Sequence, residues 1–378
     1  MSVDSAKQAI VEAIDSLRDE ILATSRHLHD HPELSGEEVE SAKLLASRAE
    51  KQGFAVEHDI AGLPTAFRAL YGKPGSGPRI AFLAEYDALP VVGHGCGHNI
   101  IGTVSTYAAI GLAAAAKAGH FKGEVALFGT PAEETFGGKI NMLEAGVFDG
   151  VSAALMCHPG IYTEVAYSSL ACISVVVEFF GKSAHAAASP WKGINALDAM
   201  IQLFVTMDQR RKQLPPTAKS PGVILKGGER ANMVPDYAKG QFSLRGKDKE
   251  ESEKVLECLI ACGQAAAQST GARFEWHMDG NPYFDMRPDP KLADEFREVW
   301  KDLGGDTPIE KPVPHGSLDI ANLSHRFPCL HPSIKITNDE TVGGHTHEFA
   351  AATVSPLAEE QILRAAKALA VTARKIEL

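Results

Sequence analysis

Six cysteines scattered through 378 residues do not make a disulfide scaffold, so a reducing, cytoplasmic setting is expected. Basic side chains are in the minority. The 37 Lys and Arg against 48 Asp and Glu leave a formal net charge of −11, and no basic block stands out. Nucleic acid is therefore not an expected partner. The opening "MSVDSAKQAIVEAIDSLRDE" has neither an apolar core segment nor a cleavage site, so no secretion signal is expected. Long apolar runs are missing too. The most apolar stretch, "YAAIGLAAAAKAG", is too short and too alanine-rich to predict a bilayer span, and no membrane partner is expected. Tandem repeats and low-complexity tracts are absent. The length does allow two domains with a sizeable core.

What is present has a rhythm. Ile10, Ile14, Leu17 and Ile21 gather on one face of an amphipathic helix within the first forty residues. Three short apolar runs follow, "RIAFLAEYDAL", "EVALFGTPAEE" and "AALMCHP", with helical stretches between them. That alternation predicts an α/β fold whose mostly parallel sheet is covered on both faces. Glu85 and Asp87, Cys96 and His98, Glu133 and Glu134, and His158 all lie just past these runs. In open parallel sheets the ligand crevice lies outside the carboxyl ends of the strands, so separate segments aim reactive groups at one place. From "ACISVVVEFFG" to "RFEWHMDG" the order becomes β-α-β-β-α-β, a ferredoxin-like unit. We read residues 170–283 as an inserted domain, with 1–169 and 284–378 forming the domain around it.

The loop "GHGCGHN" poses the central question. Its G-x-G-x-G spacing misses the dinucleotide and phosphate-loop patterns, which weakens a phosphate reading but leaves a metal site and a tight turn open. A thiolate and an imidazole, Cys96 and His98, suit a borderline-soft divalent ion such as zinc. The adjacent Glu133 and Glu134 suit either an acidic first helical turn or a division of labour between ligand and proton acceptor. His158 reads as a core histidine or a ligand. His345 and His347 sit in a second glycine-hinged loop, "GGHTHEF". His185, Asn232 and Arg245 in the inserted domain add two hydrogen-bond donors and a fixed cation, which suits a carboxylate or an oxyanion. His27, His29 and His31 read as structural, as does Cys157.

"ELSGEE", "AEYDALP", "GCGHN", "GTPAEE", "CHPG", "GKSAHAA", "NMVP" and "GHTHEF" occur in that order across nearly the whole chain. The set resembles the metal-dependent aminoacylase and exopeptidase family. The branch it looks most like holds auxin-conjugate hydrolases, hippurate hydrolase, aminobenzoyl-glutamate hydrolase and β-alanyl-lysine dipeptidase. The resemblance implies a catalytic domain with a mixed, mostly parallel sheet and an inserted lid that mediates homodimerisation. It implies one or two divalent ions, zinc or manganese, on Cys96, His98, Glu134, His158 and His345 (rather than His347). Glu133 takes the place of the general base, and His185 that of a lid histidine reaching the active site of the other copy in a dimer. Asn232 and Arg245 match substrate-binding positions, and Asp87 matches a residue that orients His98. The expected activity is amide hydrolysis of N-acyl amino acids or related conjugates with a free carboxylate. The alternatives are a dipeptidase on small β-alanyl-lysine-like dipeptides and a non-catalytic, metal-stabilised binding protein. Asn99, where many members have Asp, and Glu85, where other branches have a histidine ligand, are departures.

Overall fold

The structure is a computed structural model and describes residues 3–309 and 316–376. Two compact units emerge. The first is drawn from Met1–Ser168, Arg287–Val313 and Asn322–Leu378, the second from Ser169–Met286 and Pro314–Ala321. The described part of Pro314–Ala321 lies in a stretch that the sequence reading assigned to the outer domain.

The first unit is built on a six-stranded sheet. Its strand order is Ala55–His58, Phe67–Gly72, Glu124–Gly129, Arg79–Ala84, Val151–Leu155 and Cys329–Leu330. The joins around Arg79–Ala84 and at Cys329–Leu330 are parallel, and the two on the Ala55 side are antiparallel, so the sheet is mixed and mostly parallel. Glu124–Gly129 is buried at every position, as a strand covered on both faces must be. The helix His98–Lys117 packs against Arg79–Ala84 and against the helices Val3–Ser16 and Pro356–Arg374. At 20 residues it is long and apolar enough to cross a bilayer, which the shorter stretch read from sequence did not suggest. Its side chains are nearly all packed inside the unit, as in the core helix of a globular domain. Ile10, Ile14 and Ile21 are buried as their spacing predicts. They lie on two helices, Val3–Ser16 and Arg18–Asp30, because the chain breaks at Leu17.

His158 does not end the buried strand that precedes it. Val151–Leu155 stops, and His158–Gly160 pairs in parallel with Ser333–Lys335 as a separate two-stranded sheet. The second unit follows the expected order. Its sheet runs Arg273–Met278, Ala171–Phe180, Tyr237–Gly246, Gly222–Lys226, antiparallel throughout. The helices Ala196–Arg211 and Lys249–Thr270 pack on it, and Tyr237–Gly246 buries alternate positions as a one-sided strand does.

A buried carboxylate positions the turn that carries Glu133 and Glu134. Glu38 accepts from the Ala132 backbone N–H at 2.9 Å and from the Thr65 hydroxyl at 2.8 Å. Ala132 needs that anchor, since its φ of +59° is a left-handed conformation that costs a residue with a Cβ. Glu38→Ala strands two buried donors at about 1–3 kcal/mol each. Urea unfolding is expected to show a loss of about 2–6 kcal/mol, and a loss under about 1 kcal/mol would remove the anchor role.

Candidate metal centre

The glycines of "GHGCGHN" have packing reasons. Gly97 has a φ of +84°, and a Cβ on it would lie 2.4 Å from Pro159 Cγ. A Cβ on Gly95 would meet Val92 Cγ2 at 2.9 Å and the Thr346 carbonyl oxygen at 3.3 Å. Bare backbone thus lets Cys96 sit between the segment carrying His158 and the segment carrying His345. The His345 N–H closes the arrangement by donating to the Gly95 carbonyl at 2.8 Å. His345 itself has a φ of +64°, strain of the kind that collects at functional sites.

His98 opens its helix at Gly97. Its Nδ1–H donates to Asp87 Oδ1 at 2.8 Å, so Nε2 is the nitrogen left to offer. The other Asp87 oxygen accepts from the Ser35 hydroxyl at 2.8 Å and from the Glu134 N–H at 3.0 Å. His158 is fixed in the same sense. Its Nδ1 bonds the Pro159 carbonyl at 2.6 Å, and its Nε2 lies 3.5 Å from Cys96 Sγ. Glu134 Oε1 lies 3.8 Å from His98 Nε2 and 3.5 Å from His345 Nε2. Donor atoms of Cys96, His98 and His158, of Cys96, Glu134 and His345, and of His98, Glu133 and Glu134 each fall within 4.8 Å of one another. Glu133 and Glu134 are not in a helix's first turn: they occupy a turn before the helix Gly138–Glu144.

Electrostatics explain what such a cluster calls for. Burial drives the Cys96 thiol far above its ordinary value. Burial, with His98 beside it, lowers His158 to about 4, which leaves a neutral imidazole. Burial also works against charge on His98, but Asp87 and Cys96 outweigh it and hold that ring well above its usual value. Asp87 resists burial through His98 and is held well below the carboxylate range. His98 Nε2 and Glu134 Oε1 are buried without a hydrogen bond among the described residues. A thiol unable to ionise alone and orphaned imidazole and carboxylate atoms aimed at one spot make a donor set for a borderline-soft divalent ion. A cation there would let the thiol ionise and satisfy the orphaned atoms.

The other histidines singled out in the sequence go elsewhere. His347 starts the helix His347–Ala352 and is exposed. His27 stacks on His31 at 4.3 Å, and His29 Nδ1 meets the Thr353 hydroxyl at 3.2 Å. Asn99 is buried and donates to the Ser25 hydroxyl at 3.2 Å, away from the donors. In the second unit, His185 Nδ1 accepts from the Ala187 and Ala188 N–H groups at 3.2 and 3.1 Å, which puts the ring proton on Nε2 as an outward donor. Asn232 joins the same loop, since its carbonyl accepts from Ala186 N–H at 3.0 Å. Arg245 donates to the Ser317 hydroxyl at 3.1 Å. Sequence reasoning missed two buried groups beside the cluster, Lys139 and His331. His331 lies 5.8 Å from His158, ring to ring, and Lys139 bonds Glu85. A lysine in an ordinary helical stretch carries no signal that it is buried; only its partner reveals it.

Known proteins match this chain in sequence and in fold. A peptidase dimerisation domain matches residues 168–268. The Xaa-Arg dipeptidase of Mus musculus is 37% identical over 97% of this chain and 88% of its own length. A p-aminobenzoyl-glutamate hydrolase of Escherichia coli (strain K12) is 32% identical over 71% of this chain and 60% of its own. Among solved structures, Bacillus subtilis YXEP protein, a dinuclear metal-binding peptidase of the M20 family, superposes with a TM-score of 0.72. That match is 24% identical, covers 95% of this chain and 98% of that one, and shows the shared fold.

Asp87→Ala removes the acceptor that orients His98. A drop of about 10–100-fold in divalent-metal affinity is expected, read by competition against a chelator. Unchanged affinity in a folded variant would mean His98 is oriented by other contacts.

Proposed function

The chain belongs to the M20 family of metal-dependent peptidases and amidohydrolases, and from that premise we propose that it hydrolyses dipeptides ending in a free carboxylate, with N-acyl amino acids as a second substrate class. The observation that carries the reading is the convergence of Cys96, His98, Glu134, His158 and His345 with the Glu133 carboxylate inside the same cluster. Dipeptides come first because the relative named Xaa-Arg dipeptidase matches along nearly the whole chain. The acyl reading keeps support from relatives named p-aminobenzoyl-glutamate hydrolase and N-acetyl-L-cysteine deacetylase. A purely structural metal site has no use for Glu133, which argues against a non-catalytic role.

We assign one or two divalent ions to Cys96, His98, Glu134, His158 and His345, with Asp87 orienting His98. A bound divalent ion supplies Lewis acidity, which acidifies water and polarises the scissile carbonyl. Glu133 takes the proton of the attacking water on a carboxylate oxygen and returns it to the leaving amine. His185, reaching the active site of the other copy in a dimer, donates from Nε2 to the carbonyl oxygen as negative charge builds there. Arg245 and Asn232 hold the substrate carboxylate, the guanidinium by charge-assisted bonds. Thiolate and imidazole donors favour zinc by softness, with manganese as the competing ion. The six unpaired cysteines support a reducing cytoplasm.

The second unit is proposed to pair two copies of the chain. The strand Gly222–Lys226 is exposed at every position and forms a sheet edge, with Val223 and Leu225 about half exposed. An apolar edge of that kind is a template for strand pairing. Light scattering is expected to give a dimer for the native chain and a monomer for Leu225→Glu; a dimer of unchanged stability in that variant places the interface elsewhere.

Glu133→Ala should lower kcat by about 10²–10⁴-fold on the best substrate while metal content stays near native. Stripping with a chelator should abolish turnover, and zinc or manganese should restore it. The panel pairs dipeptides carrying basic, acidic and apolar C-terminal residues with the matching N-acetyl amino acids. Full activity in Glu133→Ala, or in the stripped protein, dismisses the assignment.

A further inference from the structure

Behind the donors lies a buried ion pair that the proposed reaction does not use. Lys139 has no exposed surface, and its ammonium donates to Glu85 Oε1 at 2.5 Å. Glu85 is only 3% exposed. Its second oxygen, Oε2, stands 3.5 Å from His98 Nε2, the same nitrogen that faces Glu134. Asp87 already occupies Nδ1, and Nε2 makes no hydrogen bond among the described residues, so Glu85 approaches His98 at the atom offered to an ion without binding it. A further anionic oxygen thus waits at the edge of the donor set. Well-packed apolar side chains often replace a buried ion pair without loss of stability, so stability alone does not account for this one.

We propose that Lys139 is a positioning residue: its ammonium withholds the Glu85 carboxylate from the ion, so that the donors stay Cys96, His98, Glu134, His158 and His345. This rests on the metal reading of the site. The physics is a competition between two cations for one carboxylate. With Lys139 holding Oε1 in a direct charge-assisted bond, the carboxylate has no incentive to turn toward His98 Nε2. Without the ammonium, the same carboxylate is a buried anion whose nearest available cation is the bound ion. The device sets the number of oxygen donors, and through it the preference between an ion suited to thiolate and imidazole donors and a harder one that takes more oxygens.

The test uses cobalt(II), whose visible absorption weakens as its coordination number rises. The full-length native chain, Lys139→Met, and the charge-neutral pair Glu85→Gln with Lys139→Met are each stripped and titrated with cobalt(II) against a competing chelator. Lys139→Met is expected to bind about tenfold tighter and to show a weaker spectrum, because Glu85 joins the donors. The double variant is expected to return to the native spectrum and affinity. A folded Lys139→Met with the native spectrum and affinity overturns the proposal, and so does a double variant shifted as far as the single one. If Lys139→Met unfolds when stripped, cobalt(II) must refold it with the weakened spectrum; failure to refold at saturating cobalt(II) counts against the proposal. A native chain that binds no cobalt(II) refutes the metal reading itself, which none of the other outcomes does.

Discussion

One carboxylate ties three separated stretches of this chain together. Asp87 accepts from Ser35 before it, from His98 beyond the glycine loop, and from the backbone of Glu134 on the next strand's turn. Bonds to an ionised acceptor are roughly twice as strong as neutral ones, and here they form where water is excluded. The same bonds decide which His98 nitrogen is exposed to the cluster and how the Glu133–Glu134 turn lies against it. The placement of His98 and Glu134 is inherited from this one group.

The site is costly to hold together without a cation. A half-buried thiol pushed far up, a neutral His158 and an orphaned Glu134 oxygen are groups that a stable core avoids. Further strain sits in the left-handed residues Ala132 and His345, one beside the carboxylate pair and one a donor. The surrounding structure compensates with a dense frame: the helix His98–Lys117 buried among sheet and helices, and a second buried carboxylate, Glu38, bracing the turn. Rigid support around a strained and unsatisfied cluster is the arrangement that lets a binding site keep its shape before its ligand arrives.

Much of this was legible in the residues. Alternating apolar runs and helices pointed to the sheet, and the inserted unit's strand and helix order appears in the structure element for element. The chemical inventory was equally plain, because thiols, imidazoles and paired carboxylates past strand ends are few. Other features left no local mark. The edge strands Ala55–His58 and Cys329–Leu330 are too short to carry a period, and partner hydrogen bonds define them. The break at Leu17 interrupts a helical pattern that itself continues. Lys139 looked like any surface lysine.

Residue types and their periodicity are local properties, so the chain alone determined which donors exist and the order of the elements that carry them. Convergence is not local. That Cys96 meets His158 across 62 positions, that both imidazoles turn Nε2 inward, and that His345 rather than His347 joins Glu134 depend on hydrogen bonds between distant segments. Those bonds exist only once the sheet has closed, which is why the tertiary structure decided them.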